Sequence, residues 1–165
     1  MSETLTAVET WINDFVVELN LCPFAAKELR SNRVRITETQ AADIDSLLQA
    51  LMEELARLQM DSSIETTVLV HPNVLADFGG YNDFLDLADA LLQDLDLEGV
   101  IQIASFHPDY CFVDTDPDSP DNLTNRSPTQ FLHLLREDSI ARVVASHPDI
   151  ESIPARNIAL MRELF

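Results

Sequence analysis

Two short apolar runs, each closed by the same dipeptide, limit what this chain can fold into. Residues 66–70 read Thr-Thr-Val-Leu-Val and end at His71-Pro72, and residues 100–106 end at His107-Pro108. Short β-branched, apolar runs of this kind read as buried strands. Between them Gly79-Gly80 reads as a turn. Phe84, Ala88, Leu91 and Leu95 then recur at helical spacing, and Gly99 ends the segment. Strand, helix, strand is the βαβ pattern, which implies parallel strands and a right-handed crossover.

The rest of the chain extends that pattern. Leu5, Val8, Ile12, Phe15 and Leu19 mark one apolar face of a first helix, starting near Ser2 or Thr4. Pro23 suits the first turn of a short second helix reaching about Arg30. A strand is expected over 34–37, and a strong helical stripe follows through Ile44, Leu47, Leu48, Leu51, Leu55 and Leu58. Residues 110–113 suggest an added edge strand. Ser127-Pro128 predicts a fourth helix, with serine as N-cap and proline in the first turn. Further helices are expected over 139–146 and from Pro154 onward. The expected fold is α/β: one domain over residues 1–165, a sandwich with a small, mainly parallel sheet of at least three strands flanked by helices.

Charge narrows the partners. The chain has 29 acidic against 10 basic residues, a formal net charge of −19. Such a surface repels phosphate backbones and anionic lipid, which argues against nucleic acid and membrane. A few arginines gathered in a pocket still suffice for an anionic small molecule. The apolar runs are too short to span a bilayer, and no leader pattern stands at the N-terminus. Cys22 and Cys111 are too few for a disulfide framework, so a reducing, cytoplasmic setting is expected. Nothing in these features encodes an oligomeric state.

Candidate chemistry gathers in the stretch 105–137. If the two His-Pro strands are parallel, His71 and His107 emerge at the carboxyl edge of the sheet, where open α/β sheets bind ligands. Asp109, two residues past His107, is placed to orient its imidazole or to close an Asx turn. Asn125-Arg126-Ser127 would combine a planar cationic fork with the free N–H groups of the expected helix start, as an anion site. On that helix Phe131, Leu132, Leu134 and Leu135 share one side, so His133 faces outward and Arg136 lies on the flank. Cys22 before Pro23 is a candidate nucleophile at a helix start. Each has a plainer alternative: a histidine satisfying a strand-end carbonyl, a capped helix with a surface arginine, a cysteine packed in a bend. Asp114, Asp116 and Asp118 resemble a calcium loop, but Ser119 stands where glycine is needed and Asn125 where the bidentate glutamate is needed. His71, His107, Asp109 and Cys22 have the ligand types for zinc without a ligand spacing. The chain has no phosphate loop, dinucleotide fingerprint or nucleophile elbow, and no cofactor is identified.

Four blocks in order carry a resemblance across nearly the whole chain. They are Asn20-Leu21-Cys22-Pro23-Phe24-Ala25, the strand 66–70 with His71-Pro72, Ala104-Ser105-Phe106-His107-Pro108-Asp109-Tyr110, and Thr124-Asn125-Arg126-Ser127-Pro128 followed by Leu132-His133-Leu134-Leu135-Arg136-Glu137. Together they resemble the bacterial family catalogued as domain of unknown function 1415. The resemblance implies a stand-alone bacterial cytoplasmic protein and no particular activity. Members of that family read Tyr-Pro where this chain has Thr129-Gln130, which argues against an aromatic contribution there.

Three functions remain open on these residues. The first is a small-molecule enzyme acting on an anionic substrate. In it His107 is the acid–base and Asp109 its orienter, while Arg126 and Ser127 hold the anion with Arg136 assisting. Asn125, His71 and His133 line the site, and Cys22 is the nucleophile if the chemistry is covalent. The second is a non-catalytic metabolite-binding or protein-interaction module. The third is a metal-dependent hydrolase on the same residues. A convergent cleft of His71, His107 and Arg126 favours an enzyme or a metabolite binder, and dispersed, carbonyl-bonded histidines favour an interaction or structural role.

Overall fold

A computed structural model describes residues 1–147 and 149–165. Its described elements in chain order are α1 (Glu3–Trp11), a π-helical continuation (Ile12–Val17), α2 (Ala25–Arg30), β1 (Val34–Glu38), α3 (Ile44–Met60), β2 (Thr66–Val70), α4 (Phe78–Asp94), β3 (Ile101–Phe106), a 3-10 turn (Pro120–Asn125), β4 (Phe131–Arg136), α5 (Glu137–Ser146), a second 3-10 turn (Ile150–Ser152) and α6 (Ile153–Leu164). The α/β class holds. The sheet, however, is mixed rather than mainly parallel, with the order β1-β2-β4-β3. β1 and β2 pair in parallel, and β4 runs antiparallel to both β2 and β3.

The helix expected from Ser127-Pro128 is therefore strand β4. Its apolar residues fit either period, and tertiary position decides between them. Leu132 and Leu134 point to one face of the sheet, and Phe131 to the other. A central strand buried on both faces reads as a near-continuous apolar run, and such a run also mimics a helix stripe. Ser127 does not cap a helix; its hydroxyl donates to the Thr129 carbonyl at 2.7 Å. The edge strand expected at 110–113 is likewise absent. That segment is irregular, and the Phe112 N–H donates to the Asn122 side-chain oxygen at 2.9 Å. Gly79-Gly80 is not a turn but the first turn of α4, where Asp77 accepts from the Gly80 N–H at 2.8 Å. Pro23 precedes α2, which begins at Ala25.

Two packed layers cover the sheet. On one face α3 and α4 bury Leu47, Leu51, Leu55, Leu58, Phe84 and Ala88 against Leu69, Ile101, Leu132 and Leu134. On the other, α1 and its continuation lay Val8, Ile12 and Trp11 against Val68, Val70, Phe106 and Phe131. Asp43 begins α3 with a reciprocal cap to Ser46, its carboxylate accepting the Ser46 N–H at 2.8 Å. No helix among the described residues is long and apolar enough to cross a membrane.

One side chain locks the two halves of the sheet to α4. The Tyr81 hydroxyl donates to the Phe131 carbonyl at 2.8 Å and accepts from the Phe106 N–H at 2.9 Å. Tyr81 is fully buried, and burial pushes its phenol pKa up. Tyr81→Phe leaves two buried backbone groups short of a partner, so unfolding by urea should show a loss of about 1–3 kcal/mol. A loss within measurement error would mean that the hydroxyl does not hold this junction.

Candidate functional site

β2 and β3 point the same way, and the residues that end them, Val70 and Phe106, both pair with Phe131. His71 and His107 therefore leave the sheet at one edge, separated by the start of β4. Both are fully buried. Both rings pack against Tyr81, with centroids 5.8 Å and 5.1 Å from its ring, and Phe78 lies 5.3 Å from His107.

Hydrogen bonds fix both tautomers. His71 Nδ1 lies 3.1 Å from the Val74 carbonyl and must donate to it. His107 Nε2 lies 3.0 Å from the Leu75 carbonyl and donates there, while its Nδ1 accepts the Asp109 N–H at 3.0 Å. Both ring nitrogens of His107 are thus engaged with backbone. Asp109 contributes its N–H; its residue is otherwise exposed. Gln130 adds a third tie, donating to the Val74 carbonyl at 3.0 Å. The loop 72–77 is consequently strapped over the sheet edge by three side chains. Leu75 within it has φ +62°, a left-handed conformation that a branched side chain adopts only under constraint.

His71 differs from His107 in one respect. Its Nε2 is buried and has no hydrogen-bond partner among the described residues. Burial, with a smaller contribution from His107, pushes its pKa down to about 4, so the ring is neutral and the Nε2 lone pair is free.

The other candidates serve the backbone. Arg126 donates from Nε to the Tyr110 carbonyl at 2.8 Å and from Nη2 to the Pro117 carbonyl at 2.6 Å, which shapes the loop 107–125. Asn125 ties that loop to β3, donating to the Ser105 carbonyl at 3.0 Å. His133 sits on β4 beside β2, its Nε2 2.7 Å from the Thr66 hydroxyl. The outward helical position expected for it does not exist. Cys22 is exposed on the turn after the π-helical segment, and α6 holds that turn: Asn157 donates to the Leu21 carbonyl at 2.8 Å. No hydrogen bond or ring contact among the described residues joins Cys22 to His107. Among those residues, too, no three His, Cys, Asp or Glu side chains converge as a metal-binding group.

Arg136 ends at the opposite edge of the sheet from the histidines, because β4 runs antiparallel. It closes the end of α3, donating to the carbonyls of Leu58 at 2.5 Å, Asp61 at 3.0 Å and Ile64 at 2.7 Å. Around it opens a concavity of about 220 Å³ lined by Arg33, Ser62, Glu65, Arg136, Asp138 and Arg142. Glu65 is its centre. Arg33 donates to Glu65 at 2.5 Å, Arg142 at 3.2 Å, and the Ser139 hydroxyl also donates to it. Partial burial works to raise the Glu65 pKa, but these bonds and the two guanidinium charges outweigh it and hold the carboxyl below its ordinary value. A second concavity, of about 340 Å³, lies between α1, α2 and the outer side of β1 and includes Arg35. Arg35 is occupied by a two-pronged bond to Glu54, at 2.8 and 3.0 Å.

The family model described as protein of unknown function (DUF1415) matches residues 3–165. The chain belongs to this family. No curated protein and no solved structure matches it. Family membership covers both edges of the sheet and names an activity for neither.

Sequence reasoning singled out Arg136 but not Arg33, Ser62, Glu65 or Arg142, which line the same concavity. The missing signal is register. Val34 pairs with Thr66, which sets Arg33 beside Glu65. That pairing is visible only once β1 and β2 are known to be neighbours.

The neutral state of His71 makes a pH prediction. The ring's pKa is about 4 in the fold against 6.5 when free. Above pH 6.5 neither state binds the proton, so stability is unaffected. Between pH 6.5 and 4 the unfolded chain takes up a proton that the folded chain refuses, so stability falls by a total on the order of 3 kcal/mol. Urea unfolding of the wild-type protein and of His71→Gln at pH 7 and pH 4.5 should show a smaller loss in the variant. Equal losses would place His71's titration outside the folding equilibrium.

Proposed function

We propose that this protein is a non-catalytic binding module for a small anionic molecule, held in the concavity of Arg33, Arg136 and Arg142. The observation that carries this reading is the gathering of three guanidinium groups around one open concavity in a chain of net charge −19. Against so negative a background, cations grouped at one place focus the field and set where an anion settles. Arginine forks suit carboxylate and phosphate oxygens, and Arg142, with 70% of its side chain exposed, is free to reorient toward a ligand. The opposite edge of the sheet supports the same reading from the other direction. His107 has no free nitrogen for proton transfer.

A second reading keeps acid–base chemistry but moves it from His107 to His71. Its support is the unpartnered, neutral Nε2 of His71, a ready proton acceptor. Reaching it would require the loop 72–77 to move. In either reading the acidic surface disfavours nucleic acid and anionic membrane as partners. The two free cysteines fit a reducing compartment such as the cytoplasm.

Titration calorimetry with inorganic phosphate at low ionic strength tests the first reading. The wild-type protein should bind at one site, with affinity falling as salt is added. Arg33→Gln and Arg142→Gln should each weaken binding about tenfold, the loss of one charge-assisted hydrogen bond. Arg156→Gln, whose side chain donates to the Asn20 carbonyl, should have no effect. Absence of binding by phosphate, sulfate and simple carboxylates would overturn the reading, as would equal effects of all three variants.

A further inference from the structure

We infer that Glu65 is a resident carboxylate occupying the anion position of the arginine concavity, and that it thereby selects doubly charged phosphate-type ligands over monocarboxylates. This inference rests on the anion-binding reading above and adds the class of ligand.

The geometry around Glu65 is that of a bound anion. Each of its oxygens is engaged: Oε2 accepts from Arg33 Nη2 at 2.5 Å, and Oε1 accepts from Arg142 Nη2 at 3.2 Å and from the Ser139 hydroxyl. Two guanidinium groups and a hydroxyl around one carboxylate form the donor set that an external anion would need. The carboxylate is tethered by its place just before β2, and the Glu65 N–H donates to the Arg33 carbonyl at 2.8 Å. Arg33 itself is shared, with Nε 3.4 Å from Glu28, and Asp138 adds another negative charge to the wall.

The charge balance sets the selectivity. Arg33, Arg136 and Arg142 supply three positive charges, and Glu65, Asp138 and the Glu28 carboxylate beside Arg33 offset all three, so a ligand gains the guanidinium groups only by displacing Glu65. A monocarboxylate arriving here offers the arginines no more than Glu65 already supplies. A phosphate monoester carries about −1.5 to −2 charge near neutral pH and three acceptor oxygens, so it offers the arginines more than the carboxylate it displaces. Space agrees with a small group. At roughly 30 Å³ per water, about 220 Å³ holds about seven waters, room for a phosphoryl group and a few further atoms. The Glu65 side chain lines the concavity that the ligand would enter.

Methyl phosphate and acetate are the probes, on the full chain of the wild-type protein and of Glu65→Gln, with affinities from titration calorimetry and folding checked by thermal unfolding. The wild-type protein should bind methyl phosphate at least about tenfold more tightly than acetate. Glu65→Gln should tighten both, and acetate the more, so that the ratio shrinks. If the wild-type protein binds methyl phosphate and Glu65→Gln leaves the affinities unchanged or weaker, Glu65 merely orients the arginines; the inference then fails while the anion-binding reading stands. If neither protein binds either probe, the anion-binding reading fails and takes the inference with it. A readout that needs no variant is the carboxyl carbon resonance of Glu65 in the wild-type protein. Saturating methyl phosphate should raise the pH at which it titrates, because the carboxylate has lost its arginines to a dianion. An identical titration with and without methyl phosphate would overturn the inference.

Discussion

The insertion of one antiparallel strand between two co-directed ones decides where everything else in this molecule lies. β4 pairs with β2 on one side and β3 on the other, and Tyr81 fastens its first residue to the last residue of β3. Because β4 runs backwards, it begins at the edge where His71 and His107 emerge and ends at the edge where β1 and β2 begin. Gln130, at its start, helps strap the loop 72–77. Arg136, at its end, closes α3 and joins Arg33 and Arg142. One strand thus builds a dry, backbone-bonded histidine edge and an open, charged arginine edge.

The two edges differ in what their polar groups have left to give. Burial favours a neutral imidazole, and each histidine of the first edge holds a loop carbonyl. Such groups support local structure, the orphan Nε2 of His71 being the exception. At the second edge Arg33 and Arg142 remain partly in water and bond to Glu65, while Arg136 donates to the carbonyls that end α3. Salt bridges that exposed contribute little to stability, about 0–1 kcal/mol.

Much of this was legible in the sequence, and the failures have a common cause. Residues 66–70 form a strand from apolar, β-branched composition alone, and α3 follows from its leucine stripe. The emergence of His71 and His107 at one edge followed from the strand directions. What local pattern could not supply was the identity of β4. Phe131, Leu132, Leu134 and Leu135 satisfy a helical stripe and a strand buried on both faces equally well. The choice lies in long-range pairing, and reading the segment as a helix placed a helix N-terminus at Ser127 that the structure replaces with β4. Arg136 was on the candidate roster for a helix flank it does not occupy. Its partners Arg33, Glu65 and Arg142 come from three separate segments, brought together by the Val34–Thr66 register and the start of α5.

Arginine and histidine side-chain NMR during a titration with inorganic phosphate addresses the central claim directly, because both edges of the sheet are observed in one experiment. The account predicts saturable shifts of the side-chain Nε–H resonances of Arg33, Arg136 and Arg142, with the ring resonances of His71 and His107 unmoved. Shifts at His71 and His107 with silent arginines would contradict it and return the site to the carboxyl edge of the sheet.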